Sequence, residues 1–211
     1  MTRRLSASRI LNENYHQVWQ LDMHQTKNLV IANVAGLLVL VIGSPLVYLL
    51  VRLLRPGIRL SYAMVIGAMD VSIPALLLAV IFMLVFHEGL HGLCFWIFTR
   101  SAPKFALKIY YAYAAAPGWY LAKWPYFITA LAPFAVITLL GFVGMIFGPP
   151  AAIFPLMLVT LLNASGAAGD LWVIFALLQR SARALVEDSG DKVTFFEPLP
   201  AEAFLDGASQ S

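Results

Sequence analysis

Four stretches of the chain are apolar over long distances: about 28–51, 71–98, 126–147 and 151–178. A helix needs roughly 20 residues to cross a hydrocarbon layer of about 30 Å, so each run predicts a transmembrane helix. Pro133 in Leu-Ala-Pro-Phe and the pair Gly141 and Gly144 mark the third helix as bent and closely packed. Gly148-Pro149-Pro150 then makes a tight turn into the fourth. Between Arg100 and Trp124 the helical spacing breaks. Residues 104–110 alternate apolar and less apolar positions, the tyrosines that follow favour strand, and Ala116-Pro117-Gly118 supplies a turn. This predicts a small β-hairpin over about 104–121, although its aromatics also suit an interfacial belt.

Ahead of the first run, Leu11, Tyr15, Val18 and Trp19 recur at helical spacing beside Arg3, Arg4 and Arg9. That spacing predicts an amphipathic helix over 8–26 lying on a membrane surface, with a loose polar tail as the alternative. Asp70, followed by Ser72 and Pro74, reads as a helix start at the outer interface. Residues 181–211 are polar and read as a loosely ordered tail. The expected fold class is an all-α polytopic membrane protein, with four transmembrane helices and a small cytoplasmic β-hairpin between helices 2 and 3. Residues 1–27 form its N-terminal segment, 28–180 its membrane domain and 181–211 its cytoplasmic tail.

Composition agrees with this reading. The 211 residues are 61% hydrophobic and 12% charged, against about 25% charged in an ordinary soluble domain. The opening residues lack the continuous apolar core of a cleaved secretory signal, so the first span is expected to stay in the mature protein. With four spans, the N-terminus, the 99–124 loop and the C-terminus share one side, which carries eleven of the 14 basic residues; Arg52, Arg55 and Arg59 are on the other. The positive-inside rule then puts both termini in the cytoplasm of a multi-pass cell-membrane protein. The net charge of +3 is spread along the helix flanks and does not suggest a nucleic-acid partner. The single cysteine, Cys94, excludes an intrachain disulfide and reads as a packing residue.

Against this apolar background, Val85-Phe86-His87-Glu88-Gly89-Leu90-His91 stands out. His87 and His91 are four residues apart, one turn of a helix, so both imidazoles can reach one metal ion. Glu88 lies about a quarter-turn from His87, where it can touch a water on that metal without being a ligand. This is the H-E-x-x-H spacing of zincins. Ionisable groups at mid-bilayer cost on the order of 2.5–3.5 kcal/mol and usually mark function. Catalytic zinc takes three protein ligands and keeps the fourth position open, and Asp170 in the fourth run is the candidate third. His91 is nine residues before Arg100 and Asp170 ten before Arg180, which puts both side chains at similar depth. The cation would also offset the charges of Glu88 and Asp170; the alternative for Asp170 is a hydrogen-bonded helix-packing acid. Asn163, seven residues before Asp170, could donate to a substrate carbonyl or simply bond between helices.

His-Glu-Gly-Leu-His within a membrane helix, a β-rich loop after it, Leu-Ala-Pro-Phe in the next span and a late Asn-x6-Asp resemble the site-2 protease class of intramembrane zinc metalloproteases. More closely, they resemble a family of small four-helix zincin peptidases. The resemblance covers roughly 70–180. It implies one zinc ion on His87, His91 and Asp170, Glu88 as catalytic acid/base, and Asn163 facing a membrane-spanning protein or peptide substrate within the lipid bilayer. Site-2 proteases typically carry a proline-rich stretch and an Asp-Gly pair here, whereas this chain has Gly166 in place of proline and Leu171 after Asp170. The competing readings are a zinc or other divalent-metal transporter and an inactive relative that binds membrane proteins.

Overall fold

The structure is a computed structural model that describes residues 6–57, 73–108 and 111–199. Asp70 lies outside the described residues. The apolar runs form helices α1 (Thr26–Leu54), α2 (Ile73–Thr99) and α3 (Lys123–Phe147). The fourth run is not one helix. After a 3-10 turn at Pro150–Ala152 it divides into α4 (Ile153–Gly166) and α5 (Ala168–Leu178), which are bent by 48°. The break falls within Ser165-Gly166-Ala167-Ala168-Gly169, where glycine weakens the helix and no bulky side chain brings packing to hold it straight. Asn163 and Asp170, expected two turns apart on one helix, therefore sit on either side of a kink.

Among the described residues, three helices are long and apolar enough to cross a membrane, or four if the bent pair forms one span. Leu37, Val41, Leu78, Phe82, Leu139 and Phe147 point outward and are exposed. Such a large apolar exterior suits lipid better than water. Inside, α1 packs on α4 and α5, while α3 packs on α2, α4 and α5. Small residues permit the closest approaches: a Cβ on Gly36 of α1 would meet the Ser165 carbonyl oxygen of α4 at 2.7 Å.

The expectation of an all-α fold is corrected by a sizeable antiparallel sheet at one end of the helices. The strands among the described residues are β1 (Ala7–Ser8), β2 (Tyr15–Asp22), β3 (Lys104–Leu107), β4 (Ala112–Ala115), β5 (Tyr120–Ala122), β6 (Leu185–Asp188) and β7 (Lys192–Pro198). Five form one sheet in the order β1-β5-β6-β7-β2, and β3 pairs with β4 alone. The segment read as a surface helix over 8–26 is instead the end of β1, a connecting stretch and strand β2. A bulge is the cause: Gln17 pairs with Phe196 and Trp19 with Phe195, which leaves Val18 as the extra residue. One inserted residue converts the i, i+2 spacing of Tyr15, Gln17 and Trp19 into a mixed pattern that passes for helical.

Within the polar tail, residues 185–198 form the β6–β7 hairpin, turning at Asp188-Ser189-Gly190-Asp191 with Gly190 at φ 93°. Phe195 is fully buried and stacks on Trp19 with ring centroids 4.5 Å apart. The predicted hairpin over 104–121 is split. Its first part is β3–β4, with Lys104 opposite Ala115, but β5 leaves to join the larger sheet between β1 and β6. A core of Leu21, Phe95, Leu121, Val173, Leu177, Val186 and Phe195 seals the sheet onto the helix ends.

Candidate metal centre

His87 and His91 share one face of α2, with ring centroids 5.0 Å apart. The kink between α4 and α5 swings Asp170, in the first turn of α5, onto the same point. Asp170 Oδ2 lies 3.3 Å from His87 Nε2 and 3.4 Å from His91 Nε2. Both histidines are buried, and one ligand atom from each of the three residues lies within 4.8 Å of the others.

The outer nitrogens fix what the inner ones can do. His91 Nδ1 is 2.9 Å from the Thr129 carbonyl oxygen, which can only accept, so Nδ1 carries the proton and donates. His87 Nδ1 is 2.9 Å from Asn163 Oδ1, and Asn163 Nδ2 donates to the Pro133 carbonyl, an orientation that again requires His87 Nδ1–H to donate. With Nδ1 carrying a proton on both rings, each Nε2 is directed at the Asp170 carboxylate and is the atom left to act as a ligand. Three lone-pair donors converging in a buried site repel one another unless a cation or extra protons lie between them. A donor set of two imidazole nitrogens and one carboxylate oxygen is a chemically sound fit for zinc with an open fourth position.

Glu88 is on α2 beside the histidines. Its Oε2 is buried with no hydrogen-bond partner, and the backbone N–H of Ala114 lies beside its carboxylate. An unpartnered buried carboxylate oxygen is expensive in a resting structure and suits a group that takes up a proton in turnover. Strand β4 supplies the facing wall. Lys108 N–H donates to the Tyr111 carbonyl, so antiparallel alternation turns the N–H and C=O of Ala112 and Ala114 away from β3 and toward this site. The next group on that edge, Ala116 N–H, donates to the Asp188 carbonyl.

Of the two readings of Asn163, the bond between helices is the one seen: Asn163 is fully buried, with its amide oxygen on His87 and its amide nitrogen on Pro133. Cys94 is half-buried and is not among the converging donors. Other residues were missed. Tyr111, Tyr113, Tyr126 and Asp188 join the metal-site residues in lining one cavity of about 310 Å³. The turn signal Asp-Ser-Gly-Asp at 188–191 was in the sequence, but its position over the metal site depends on the sheet.

A family described as "Putative zincin peptidase" matches residues 80–185, which contain His87, Glu88, His91 and Asp170. No curated protein and no solved structure matches the chain. Membership implies a metallopeptidase that uses zinc, in keeping with the three donors that the fold assembles. With half of its length matched, the chain belongs to this zincin peptidase family.

Proposed function

We propose that the protein is an intramembrane endopeptidase of the site-2 protease type, in which His87, His91 and Asp170 hold one zinc ion and Glu88 is the catalytic acid/base. The observation that carries this is the convergence of His87 Nε2, His91 Nε2 and Asp170 Oδ2 beside the unpartnered Glu88 Oε2, among helices whose outer faces are apolar.

Zinc, when bound, polarises the scissile carbonyl and lowers the pKa of water to about 7. Glu88 accepts the proton of the attacking water on Oε2 and then delivers it to the leaving amine. Thr129 and Asn163 keep each Nδ1 protonated, so that Nε2 stays free to act as a ligand. A helical substrate hides its carbonyls in hydrogen bonds and must unwind locally before attack. The edge of β4 away from β3 then pairs with the unwound segment through the backbone N–H and C=O of Ala112 and the C=O of Ala114. Because α1 and α2 both line the cavity yet pack mainly on other elements, a substrate helix enters between them. The sheet end of the bundle faces the cytoplasm, as the distribution of basic residues suggests.

The test is cleavage of single-span substrates by zinc-loaded protein in lipid nanodiscs. Glu88→Gln should keep zinc and lose cleavage by about 10²–10⁴-fold. Metal flux without any cleaved peptide, in wild type and variant alike, would favour the transporter instead.

A further inference from the structure

The β6–β7 turn brings a carboxylate into the cavity that the metal chemistry does not use. Asp188 Oδ2 accepts from Tyr126 OH at 2.7 Å, and its Oδ1 accepts from Gly190 N–H at 2.8 Å. Each oxygen keeps a lone pair for another donor. Glu187 and Glu197 accept from the backbone N–H groups of Gly118 and Ser181 at the exposed surface, and the two acids nearest the turn lie beside basic groups. Asp22 pairs with Lys192 at 3.2 Å, and Asp191 lies 3.5 Å from His24 and 3.9 Å from Lys108. Among the described residues, Asp188 has no cationic partner within 4.0 Å.

Burial raises the Asp188 carboxyl to about 6, so it is mostly ionised at neutral pH despite its surroundings. A divalent cation would balance Glu88 and Asp170, leaving Asp188 as the uncompensated charge of the cavity. The wall around it is aromatic: Tyr111, Tyr113 and Tyr126 line the same space, with the Tyr111 and Tyr113 rings 6.2 Å apart. Tyrosine faces beside a single carboxylate accommodate the stem and head of a long cationic side chain. The turn is firmly seated, since the Gly190 Cα packs so close to the Tyr113 ring that a Cβ would collide with it.

We propose that Asp188, walled by these tyrosines, is a specificity subsite that takes a lysine or arginine side chain of the peptide substrate, near the scissile bond on the sheet side. The subsite rests on the peptidase reading for the identity of its ligand. It requires substrates with a basic residue close to where their apolar segment ends.

The test uses the full chain with Glu88→Gln, zinc-loaded in detergent micelles, and a set of fluorescent apolar peptides with blocked termini. A single lysine is moved through the peptide one position at a time, and each peptide is compared with its acetyl-lysine twin. At one register, lysine should bind roughly tenfold or more tightly than acetyl-lysine. Adding Asp188→Asn should bring that ratio close to one. The idea is overturned if no register prefers lysine, if no peptide binds, or if the preference survives Asp188→Asn. The lysine comparison needs no substitution at Asp188, so a folding defect in that variant does not rescue the idea. If wild-type protein shows the preference but leaves the preferred peptide uncut, the subsite stands and the peptidase reading falls.

Discussion

Replacing Asn163 with leucine tests whether the buried amide governs metal binding through His87. Leucine keeps the branched shape but has no acceptor, so the His87 Nδ1–H would lose its 2.9 Å partner in a site with no solvent to replace it. An unsatisfied buried donor costs about 1–3 kcal/mol. The ring can escape that cost by moving its proton to Nε2, where it would donate to Asp170 3.3 Å away. That tautomer cannot ligate metal through Nε2, so either outcome falls on zinc affinity. Loss of an outer-shell partner of a zinc-bound histidine typically weakens binding by about 10–100-fold, equivalent to about 1.4–2.8 kcal/mol and in line with the lost hydrogen bond. The assay is competition for zinc against a chromophoric chelator with purified protein in detergent, at fixed pH. Melting temperatures with and without zinc separate poor binding from poor folding. Asn163→Asp keeps an acceptor toward His87 and should retain more affinity than Asn163→Leu. Wild-type affinity in Asn163→Leu, or equal losses in the two variants, would refute the reasoning.

Other substitutions probe the cavity wall and the helix contacts. Asp188 is raised to about 6, so the native state holds its proton more tightly than the unfolded chain, and stability falls as pH rises between about 4 and 6. Asp188→Asn should therefore melt higher than wild type at pH 8 but show no gain near pH 4, with a ceiling of about 3 kcal/mol less the weakened Gly190 N–H bond; an equal gain at both values would exclude ionisation as the cause. Ala112→Pro removes an N–H that points away from β3 and so spares the β3–β4 ladder; zinc content should hold while cleavage falls by about tenfold or more, and undiminished cleavage would rule out pairing on that edge. Gly36→Ala forces a Cβ to within 2.7 Å of the Ser165 backbone oxygen, and denaturation should show a loss of about 1–3 kcal/mol.

What the sequence made legible follows from the range of each signal. The helices were readable because twenty apolar residues in a row is a local property. The H-E-x-x-H pair was readable because one helical turn fixes its geometry regardless of the rest of the fold. Asp170 needed one further step, matching depth across two apolar runs, and the structure does bring it to the two imidazoles. The sheet was another matter. Val18 disguised the period of β2, and its partner β7 lies some 170 residues away, so neither strand shows its pairing locally.

Asn163 was left between two readings for a related reason. A buried amide in an apolar helix predicts a partner but not which one, and the choice between substrate and His87 is decided by the kink at residues 166–168. The same kink carries Asp170 to the histidines. One break in the fourth apolar run thus aims the third donor and lets the amide behind it hold the tautomer of His87, so straightening that break should disturb ligation at two points at once. The residues that shape the cavity toward the sheet, Asp188 and the tyrosines around it, belong to neither signal. They come together only when the strands from both ends of the chain close over the helix ends, which is where selectivity can diverge while the chemistry on α2 and α5 stays the same.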